Sequence, residues 1–380
     1  MFGIYIHWPF CASKCPYCDF NSHVRQRIDQ HVWADAYARE IEHYAALTKG
    51  KIVTSVFFGG GTPSLMEPDT AASVIAAIRK HWPMANDCEI TLEANPTSIE
   101  ADKFAGFRGA GIDRVSVGVQ ALNDADLKFL GRQHNKDQAL RALDIARNTF
   151  DRYSFDLIYA RPNQTPQAWE TELREAMNYA GGHLSLYQLT IEKGTPFYTQ
   201  YSRGDFSIPT NDEGGELYEI TQRVLEDHGL PAYEISNHAS EGQQSRHNLT
   251  YWRYYDYVGI GPGAHGRLTI DGKKVGTRGH RAPEIWLDKV AKDGHGSHPY
   301  EAIDTDQRFA EMLMMGLRLR EGIKLSRFAE ETGQSLETYT PQTKLQSMID
   351  EGYITVTDTT ITATQDGRQR LNGLLDYLLN

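Results

Sequence analysis

The chain has 380 residues, of which 40% are hydrophobic and 23% charged, and its formal net charge is −11 at pH 7. This length suits two or three domains with a large core. The acidic balance argues against non-specific binding to nucleic acid, which requires a basic surface. No apolar run approaches a membrane span, and the N-terminal segment has the pattern of a strand and not of a signal peptide. We therefore expect a cytoplasmic protein.

The first half of the chain alternates predicted strands and helices. Apolar, β-branched runs predict strands at 3–7, 53–58, 89–92, 114–119, 153–158 and 184–189. Helical patterns lie between them, near 33–44, 68–82, 98–109, 123–130, 136–149 and 166–179. Strands that alternate with helices favour parallel pairing through right-handed crossovers. The fold class is therefore α/β, and residues 1–200 are predicted to form an open barrel or a doubly wound sheet.

The second half is predicted to contain two further units. Residues 201–300 are less regular, and we expect strands and loops that extend the sheet. From residue 301 the pattern predicts helices near 306–320, 325–332 and 337–351, a hairpin within 353–363 and a last helix from about 366. That order is typical of a small winged-helix-like domain. The predicted domains are thus 1–200, 201–300 and 301–380.

Polar and glycine-rich segments follow the predicted barrel strands. CASKCPYC follows the first strand, GGGTP follows the second, and EANP ends the third. In a parallel barrel the carboxyl ends of the strands open on one face, where active sites lie. We therefore expect the functional side chains of successive units to meet on that face.

Three of the four cysteines stand within eight residues, as Cys11, Cys15 and Cys18 in a C-x3-C-x2-C spacing. Zinc would require a fourth ligand, which His7 or His23 could supply. A redox dithiol would leave Cys11 without a role. A [4Fe–4S] cluster held by three thiolates uses all three cysteines and leaves one iron open to a small molecule. This last interpretation explains the trio best.

The cysteine spacing after a first strand, with Tyr17 just before the last cysteine, resembles the radical S-adenosylmethionine (SAM) superfamily. The resemblance implies a partial (β/α)6 radical-SAM barrel in which the open iron binds SAM. In that family the reduced cluster passes an electron to the sulfonium and releases a deoxyadenosyl radical. Such chemistry belongs to the cofactors, while the protein binds, orients and excludes water.

The segments YIHWPFC, FFGGGTPS, LEANP, SVGVQ and FDLIYARP together resemble the coproporphyrinogen oxidase-like branch of that superfamily. The resemblance covers nearly the whole chain, with a departure at Ala160-Arg161 for which we expect only a local loop change. It implies SAM contacts at Tyr5, Tyr17, Gly60, Gly61, Thr62, Glu93, Gln120, Arg132 and Asp156.

Two sequence features distinguish the oxidases from the haem chaperones within this branch. In the oxidases a further cysteine stands two residues after the last cluster cysteine. This chain has Phe20 at that position. The segment HNLTYW matches the HNxxYW motif of the HemW family of haem chaperones. It implies that haem is held by His247, as iron ligand, together with Asn248, Tyr251 and Trp252. Without the resemblance, a histidine beside aromatic residues would be interpreted as a core residue. The candidates for a second ligand are His238 and His265.

The resemblance therefore implies a haem chaperone that passes haem to an acceptor, for example a respiratory haem protein, and meets a membrane only through that acceptor. The first alternative is an oxygen-independent coproporphyrinogen III oxidase. The second is a DNA-binding regulator, suggested by the winged-helix outline. Its candidate recognition segment sets Lys344 against Glu337, Asp350 and Glu351. Such a surface suits phosphate poorly, so we expect no nucleic-acid partner.

Overall fold

The computed structural model describes residues 1–379. Its first half forms the predicted strands and two additional short ones: β1 (Gly3–Trp8), β2 (Phe10–Cys11), β3 (His23–Val24), β4 (Val53–Gly60), β5 (Met84–Ala94), β6 (Arg114–Gln120), β7 (Arg152–Tyr159) and β8 (His183–Gln188). The six long strands pair in parallel in the order β1-β4-β5-β6-β7-β8. This sequential order is the partial barrel that the sequence predicts.

The helices of this half follow the predicted periodicity. They are α1 (Gln30–Leu47), α2 (Pro68–His81), α3 (Ser98–Ala101), α4 (Phe104–Ala110), α5 (Asp124–Phe129), α6 (Lys136–Thr149) and α7 (Pro166–Met177), with a 3-10 turn at Pro63–Leu65. In α1 the four-residue spacing of Trp33, Tyr37 and Ile41 places all three in the main core. Burial of that face stabilises the helix, because most helical stability in proteins comes from the packing of an apolar face.

Residues 189–302 extend the sheet at both edges and add helices. The elements are α8 (Pro196–Arg203), α9 (Asn211–Asp227), β9 (Asn237–Ala239), α10 (Arg246–Trp252), β10 (Tyr257–Ile260), β11 (His265–Ile270), β12 (Lys273–Arg278), α11 (Pro283–Asp293) and β13 (Glu301–Ala302). The complete sheet has eleven strands in the order β13-β12-β11-β10-β1-β4-β5-β6-β7-β8-β9. Strand β10 is parallel to β1, and β11 to β13 continue antiparallel.

The predicted sheet extension is present, whereas the prediction of strands and loops missed the helices of this region. The HNLTYW segment lies in the helix α10, not in a strand. The hydroxyl oxygen of Ser245 caps this helix by accepting from the backbone N–H of Asn248. Aromatic residues, which favour strands on average, are held here in a helix because the cap and the surrounding core decide the local structure.

The C-terminal part has its own small sheet and core. It comprises α12 (Thr305–Gly316), β14 (Ile323–Lys324), α13 (Leu325–Thr332), α14 (Leu336–Tyr339), α15 (Gln342–Asp350), β15 (Ile354–Val356), β16 (Thr360–Ala363), α16 (Gln365–Gln369) and α17 (Leu371–Leu379). The strands pair as β14-β16-β15, and the helix predicted at 337–351 is divided by Pro341. No helix within residues 1–379 combines the length and the apolar composition needed to cross a bilayer.

Candidate functional site

The three clustered cysteines lie at the carboxyl ends of the barrel strands. Cys11 ends β2, while Cys15 and Cys18 follow on the loop before β3. They line a cavity, the cysteine cavity, of about 150 Å³. The predicted site residues on its wall are Cys11, Cys15, Tyr17, Cys18, Gly60, Gly61, Thr62, Glu93, Gln120, Arg132 and Asp156. Barrel topology thus gathers residues that are up to 145 positions apart in the sequence.

All three thiols are free, and they do not surround a single point. Within the described chain, no three histidine, cysteine, aspartate or glutamate side chains are arranged to hold one metal ion. In an iron–sulfur cluster each thiolate binds a different iron, so its ligands need not converge in that way. The ring nitrogens of His7, a possible fourth zinc ligand, lie 3.1 Å from Tyr5 Oη and 2.9 Å from Asn21 O.

The triple glycine brings β4 close to the cysteine loop. A Cβ atom on Gly61 would lie 2.5 Å from the carbonyl oxygen of Phe10, and Gly60 has a φ of 109°. Glycine avoids the steric contact at position 61 and adopts the positive φ at position 60 without strain. The close approach places Thr62 Oγ1 at 3.5 Å from Cys11 Sγ, to which it donates.

Arg132 links the cysteine loop to the ends of β5 and β6. Its guanidinium donates to Cys15 Sγ at 3.3 Å and to the carbonyl oxygen of Gly118 at 2.9 Å. It also donates to Asn95 Oδ1, and Asn95 Nδ2 donates in turn to Thr62 Oγ1 at 3.2 Å. Asn95 therefore joins two predicted site residues and also lines the cavity, yet sequence reasoning did not select it. Its position at the end of a strand, two residues after Glu93, was the available signal.

Two carboxyl groups and one amide give the cavity its polarity. Burial raises the pKa of Glu93 to about 8, and the negative charge of Asp156 adds to this shift. Burial likewise raises the pKa of Asp156 to about 6. Gln120 has a φ of 75°, and its buried Oε1 has no hydrogen-bond partner within the described residues. The partnerless amide oxygen and the two buried carboxyl groups are suited to a polar, positively charged ligand.

A larger cavity adjoins the first. This aromatic cavity has a volume of about 580 Å³ and shares Phe20, Gly60 and Glu93 with the cysteine cavity. Tyr5, predicted as a SAM contact, lies on its wall, together with Tyr251 and Trp252 of the HNLTYW segment. A volume between about 300 and 1,000 Å³ is normal for a small-molecule or cofactor site.

His247 and Asn248 do not line either cavity. The His247 side chain is buried under the barrel wall, with Nδ1 at 2.9 Å from Ser55 Oγ and Nε2 at 2.5 Å from Tyr251 Oη. Its ring stacks on Phe57, and burial lowers its pKa to about 3. Both ring nitrogens are therefore engaged within the protein in this conformation.

The two candidate second ligands are placed differently. His238 is buried on β9, with Nε2 at 3.1 Å from Gln222 Nε2. His265 is exposed, begins β11 and lines the aromatic cavity. In the strand order of the sheet, β9 is one edge and β11 lies near the other. Of the two, only His265 adjoins the aromatic cavity.

Comparison with known proteins agrees with this architecture. The sequence model of the Radical SAM superfamily matches residues 5–176, and that of the HemN C-terminal domain matches residues 303–370. The protein called heme chaperone HemW of Escherichia coli (strain K12) is 35% identical over 380 residues, which cover 99% of this chain and 98% of the relative. The chain belongs to the HemW family.

Members of the HemW family and their relatives match over most of their length. Radical S-adenosyl methionine domain-containing protein 1, mitochondrial, of Mus musculus is 39% identical over 348 residues, which cover 90% of this chain and 77% of the relative. The solved structure of coproporphyrinogen III oxidase (HemN) from E. coli has a TM-score of 0.81 and 21% identity, and covers 99% of this chain and 89% of that chain. At this identity the structural match shows the fold alone.

The superfamily to which HemW proteins belong carries a [4Fe–4S] cluster and SAM. The donor set of the cysteine cavity fits both groups. Three free thiols stand beside one another, and a partnerless amide oxygen of Gln120 and two carboxyl groups face the same space. A SAM molecule bears a sulfonium and an ammonium charge, which would offset the negative charge of those carboxylates.

Proposed function

We propose that this protein is a haem chaperone. It holds a [4Fe–4S] cluster and SAM in the cysteine cavity, binds haem in the aromatic cavity, and delivers haem to acceptor haem proteins such as respiratory ones. One observation carries this proposal: Tyr251 and Trp252 of the HNLTYW segment form the wall of a 580 Å³ cavity that adjoins the cysteine cavity. The names of the bacterial relatives, "Heme chaperone HemW", support it.

In this proposal Cys11, Cys15 and Cys18 hold the cluster. A bound cluster would supply one-electron chemistry at this site. The Arg132 guanidinium donates a hydrogen bond to Cys15 Sγ at 3.3 Å and so helps to fix the position of that ligand. Glu93, Asp156 and Gln120 supply the acceptors for SAM.

Haem binding by the HNLTYW segment is proposed through its aromatic side chains. Tyr251 and Tyr257 pack edge to face, with ring centroids 4.4 Å apart, on the same wall as Trp252. Rigid aromatic surfaces of this kind suit a flat porphyrin ring. Ligation of iron by His247 remains a prediction, and it requires that one of its two ring-nitrogen hydrogen bonds, to Ser55 or to Tyr251, be broken.

Two other functions are supported less well. The oxidase alternative rests on a shared fold, since HemN is only 21% identical. Phe20, exposed where the oxidase motif has a cysteine, weighs against it. The DNA-binding alternative gains no support from the acidic C-terminal segment.

The decisive experiment combines haem transfer with an oxidase assay on one anaerobic preparation. Haem is titrated into the reconstituted protein and followed by Soret absorbance, and the loaded protein is then mixed with an apo haem protein. We expect binding and transfer. The same preparation, supplied with reductant, SAM and coproporphyrinogen III, is expected to form no protoporphyrinogen. Formation of protoporphyrinogen, or a failure to transfer haem, would contradict the proposal.

The cluster assignment has its own control within the chain. Cys15→Ser should lose most of the iron and the cluster absorption after reconstitution. Cys88→Ser removes the fourth cysteine, which lies in β5 and not on the cavity wall, and should keep the iron content of the unmodified protein. Equal iron content in both variants would exclude the cysteine trio as the cluster ligands.

A further inference from the structure

We infer that haem is held in the aromatic cavity with His265 as an iron ligand and with Arg278 and Arg281 as partners of its propionates. This inference rests on the proposed function and specifies its haem site. It assigns the iron ligand to a histidine outside the HNLTYW segment, on a strand of the sheet extension.

The first argument is the position of His265. It begins β11, lies on the wall of the aromatic cavity and is exposed. Neither ring nitrogen has a hydrogen-bond partner within the residues that the structure describes, whereas His247 uses both of its nitrogens inside the core. An imidazole that is free on a cavity wall can bind iron without rearrangement of the protein.

The second argument is the state of the other histidine on this wall. His7 also lines the aromatic cavity, but its ring nitrogens lie 3.1 Å from Tyr5 Oη and 2.9 Å from Asn21 O. Of the two histidines on the wall, His265 is therefore the one whose ring is available to iron.

The third argument is charge. Arg278 and Arg281 line the same cavity, and neither forms an ion pair within the described part of the chain. Arg267, by contrast, is paired with Glu311 at 2.8 Å. Both side chains are exposed, so their guanidinium groups are available to an anionic ligand that enters this cavity. Guanidinium groups bind carboxylates in a bidentate manner, and haem carries two propionate carboxylates.

The fourth argument is geometry. His265 and Arg278 are direct cross-strand partners in the antiparallel pairing of β11 and β12. Directly opposed residues project from the same face, with Cβ atoms about 5 Å apart. Arg281 follows shortly after β12 and contacts Asn21 Oδ1 at 3.5 Å. An iron ligand and two carboxylate partners thus border one space, and Tyr251, Trp252 and Tyr257 form its aromatic wall.

The test titrates ferric haem and its dimethyl ester into the full-length protein, and follows Soret absorbance and electron paramagnetic resonance. His265→Ala should weaken haem binding about tenfold or more and change both spectra. His265→Gly should regain the spectrum of the unmodified protein when imidazole is added. The control His31→Ala removes an exposed histidine of α1 that is not on the cavity wall.

The arginine pair is tested with the same two ligands. Arg278→Gln combined with Arg281→Gln should weaken binding of haem about tenfold or more and leave binding of the dimethyl ester, which lacks the carboxylates, unchanged. Arg39→Gln, an exposed arginine of α1, is the matched control. Equal loss for both ligands would overturn the propionate assignment.

The outcomes distinguish a failure of the haem-site assignment from a failure of the proposed function. Unchanged spectra and affinity in His265→Ala would overturn the ligand assignment while haem binding stands. Loss of haem binding in His247→Ala, with binding retained in His265→Ala, would assign the iron ligand to the HNLTYW segment instead. If the unmodified protein binds no haem at all, the proposed function fails together with the site.

Discussion

Glu93 and Asp156 face the same cavity from strands that are separated by one other strand, and the charge of Asp156 adds to burial in raising the pKa of Glu93 to about 8. Without a ligand, Glu93 is therefore mostly protonated at neutral pH. A positively charged ligand favours its ionised form and so lowers this pKa. Ligand binding and proton release are coupled at this residue.

We accordingly predict that SAM binding releases up to one proton near pH 7.5 and that SAM affinity rises between about pH 6 and pH 8. Calorimetric titrations in phosphate and in Tris, whose ionisation enthalpies differ, measure the proton count. Glu93→Gln should reduce it to near zero, and Glu241→Gln, an exposed position, should leave it unchanged. Identical binding enthalpies in both buffers for the unmodified protein would refute the coupling.

Asn95 is predicted to act by holding Arg132 and Thr62 in place. Asn95→Ala removes the acceptor of Arg132 and the donor to Thr62, both at the cysteine loop. We expect a loss of about 1–2 kcal/mol in SAM binding, or about 5- to 30-fold in Kd, with the iron content retained. The comparison is Asn148→Ala, an exposed position on α6. An unchanged Kd in Asn95→Ala would show that this network does not position the ligand site.

Arg161 forms a buried ion pair with Glu172, at the point where the chain departs from the family pattern. Glu172 also accepts from the backbone N–H of Leu122 at 2.7 Å. Arg161→Leu would leave a buried carboxylate without its cation, and we expect the free energy of unfolding to fall by about 3–5 kcal/mol in urea denaturation.

The exposed pair of Arg174 and Glu170 provides the control for that prediction. Arg174→Leu should change the free energy of unfolding by no more than about 1 kcal/mol. Arg161→Leu combined with Glu172→Leu should recover part of the loss, since no carboxylate stays buried without its cation while the Leu122 N–H still loses its acceptor. If Arg161→Leu changed the free energy of unfolding as little as Arg174→Leu does, the buried pair would contribute little to stability.

His247 is predicted to stabilise the folded protein as a neutral imidazole. Its pKa is lowered to about 3 by burial, so the folded state keeps it neutral while the unfolded chain protonates it below about pH 6.5. The stabilisation is complete above the unfolded pKa and is lost as the pH falls towards the folded one. His247→Gln should cost about 2–4 kcal/mol at neutral pH.

The pH dependence distinguishes this effect from simple loss of packing. The stability difference between the unmodified protein and His247→Gln should shrink by about 1 kcal/mol between pH 7.5 and pH 5.5. His31→Gln, on the surface of α1, should show no difference at either pH. A difference that does not vary with pH would mean that His247 is not held neutral.

The sequence predicted the barrel well because its signals are local. The strands predicted at 53–58 and 114–119 are apolar runs bordered by glycine or polar residues. The structure has each strand within two residues of its predicted ends. In the region 201–300 the sheet extension was predicted but the helix α10 was not, since α10 depends on the Ser245 cap and on the core contact of His247 with Ser55, 192 positions away. Local propensity does not report such contacts.

The amino-acid sequence by itself determined the alternation of strands and helices, the cysteine spacing and the family resemblance, because each is a pattern of neighbouring residues. Only the tertiary structure decided which polar groups share a cavity. It buried His247 with both ring nitrogens bonded, placed His265 beside Arg278 on an aromatic cavity, and made Asn95 the link between Thr62 and Arg132. The reason is physical: hydrogen bonding and burial depend on distances between segments, and strand pairing sets those distances only when the whole sheet has formed.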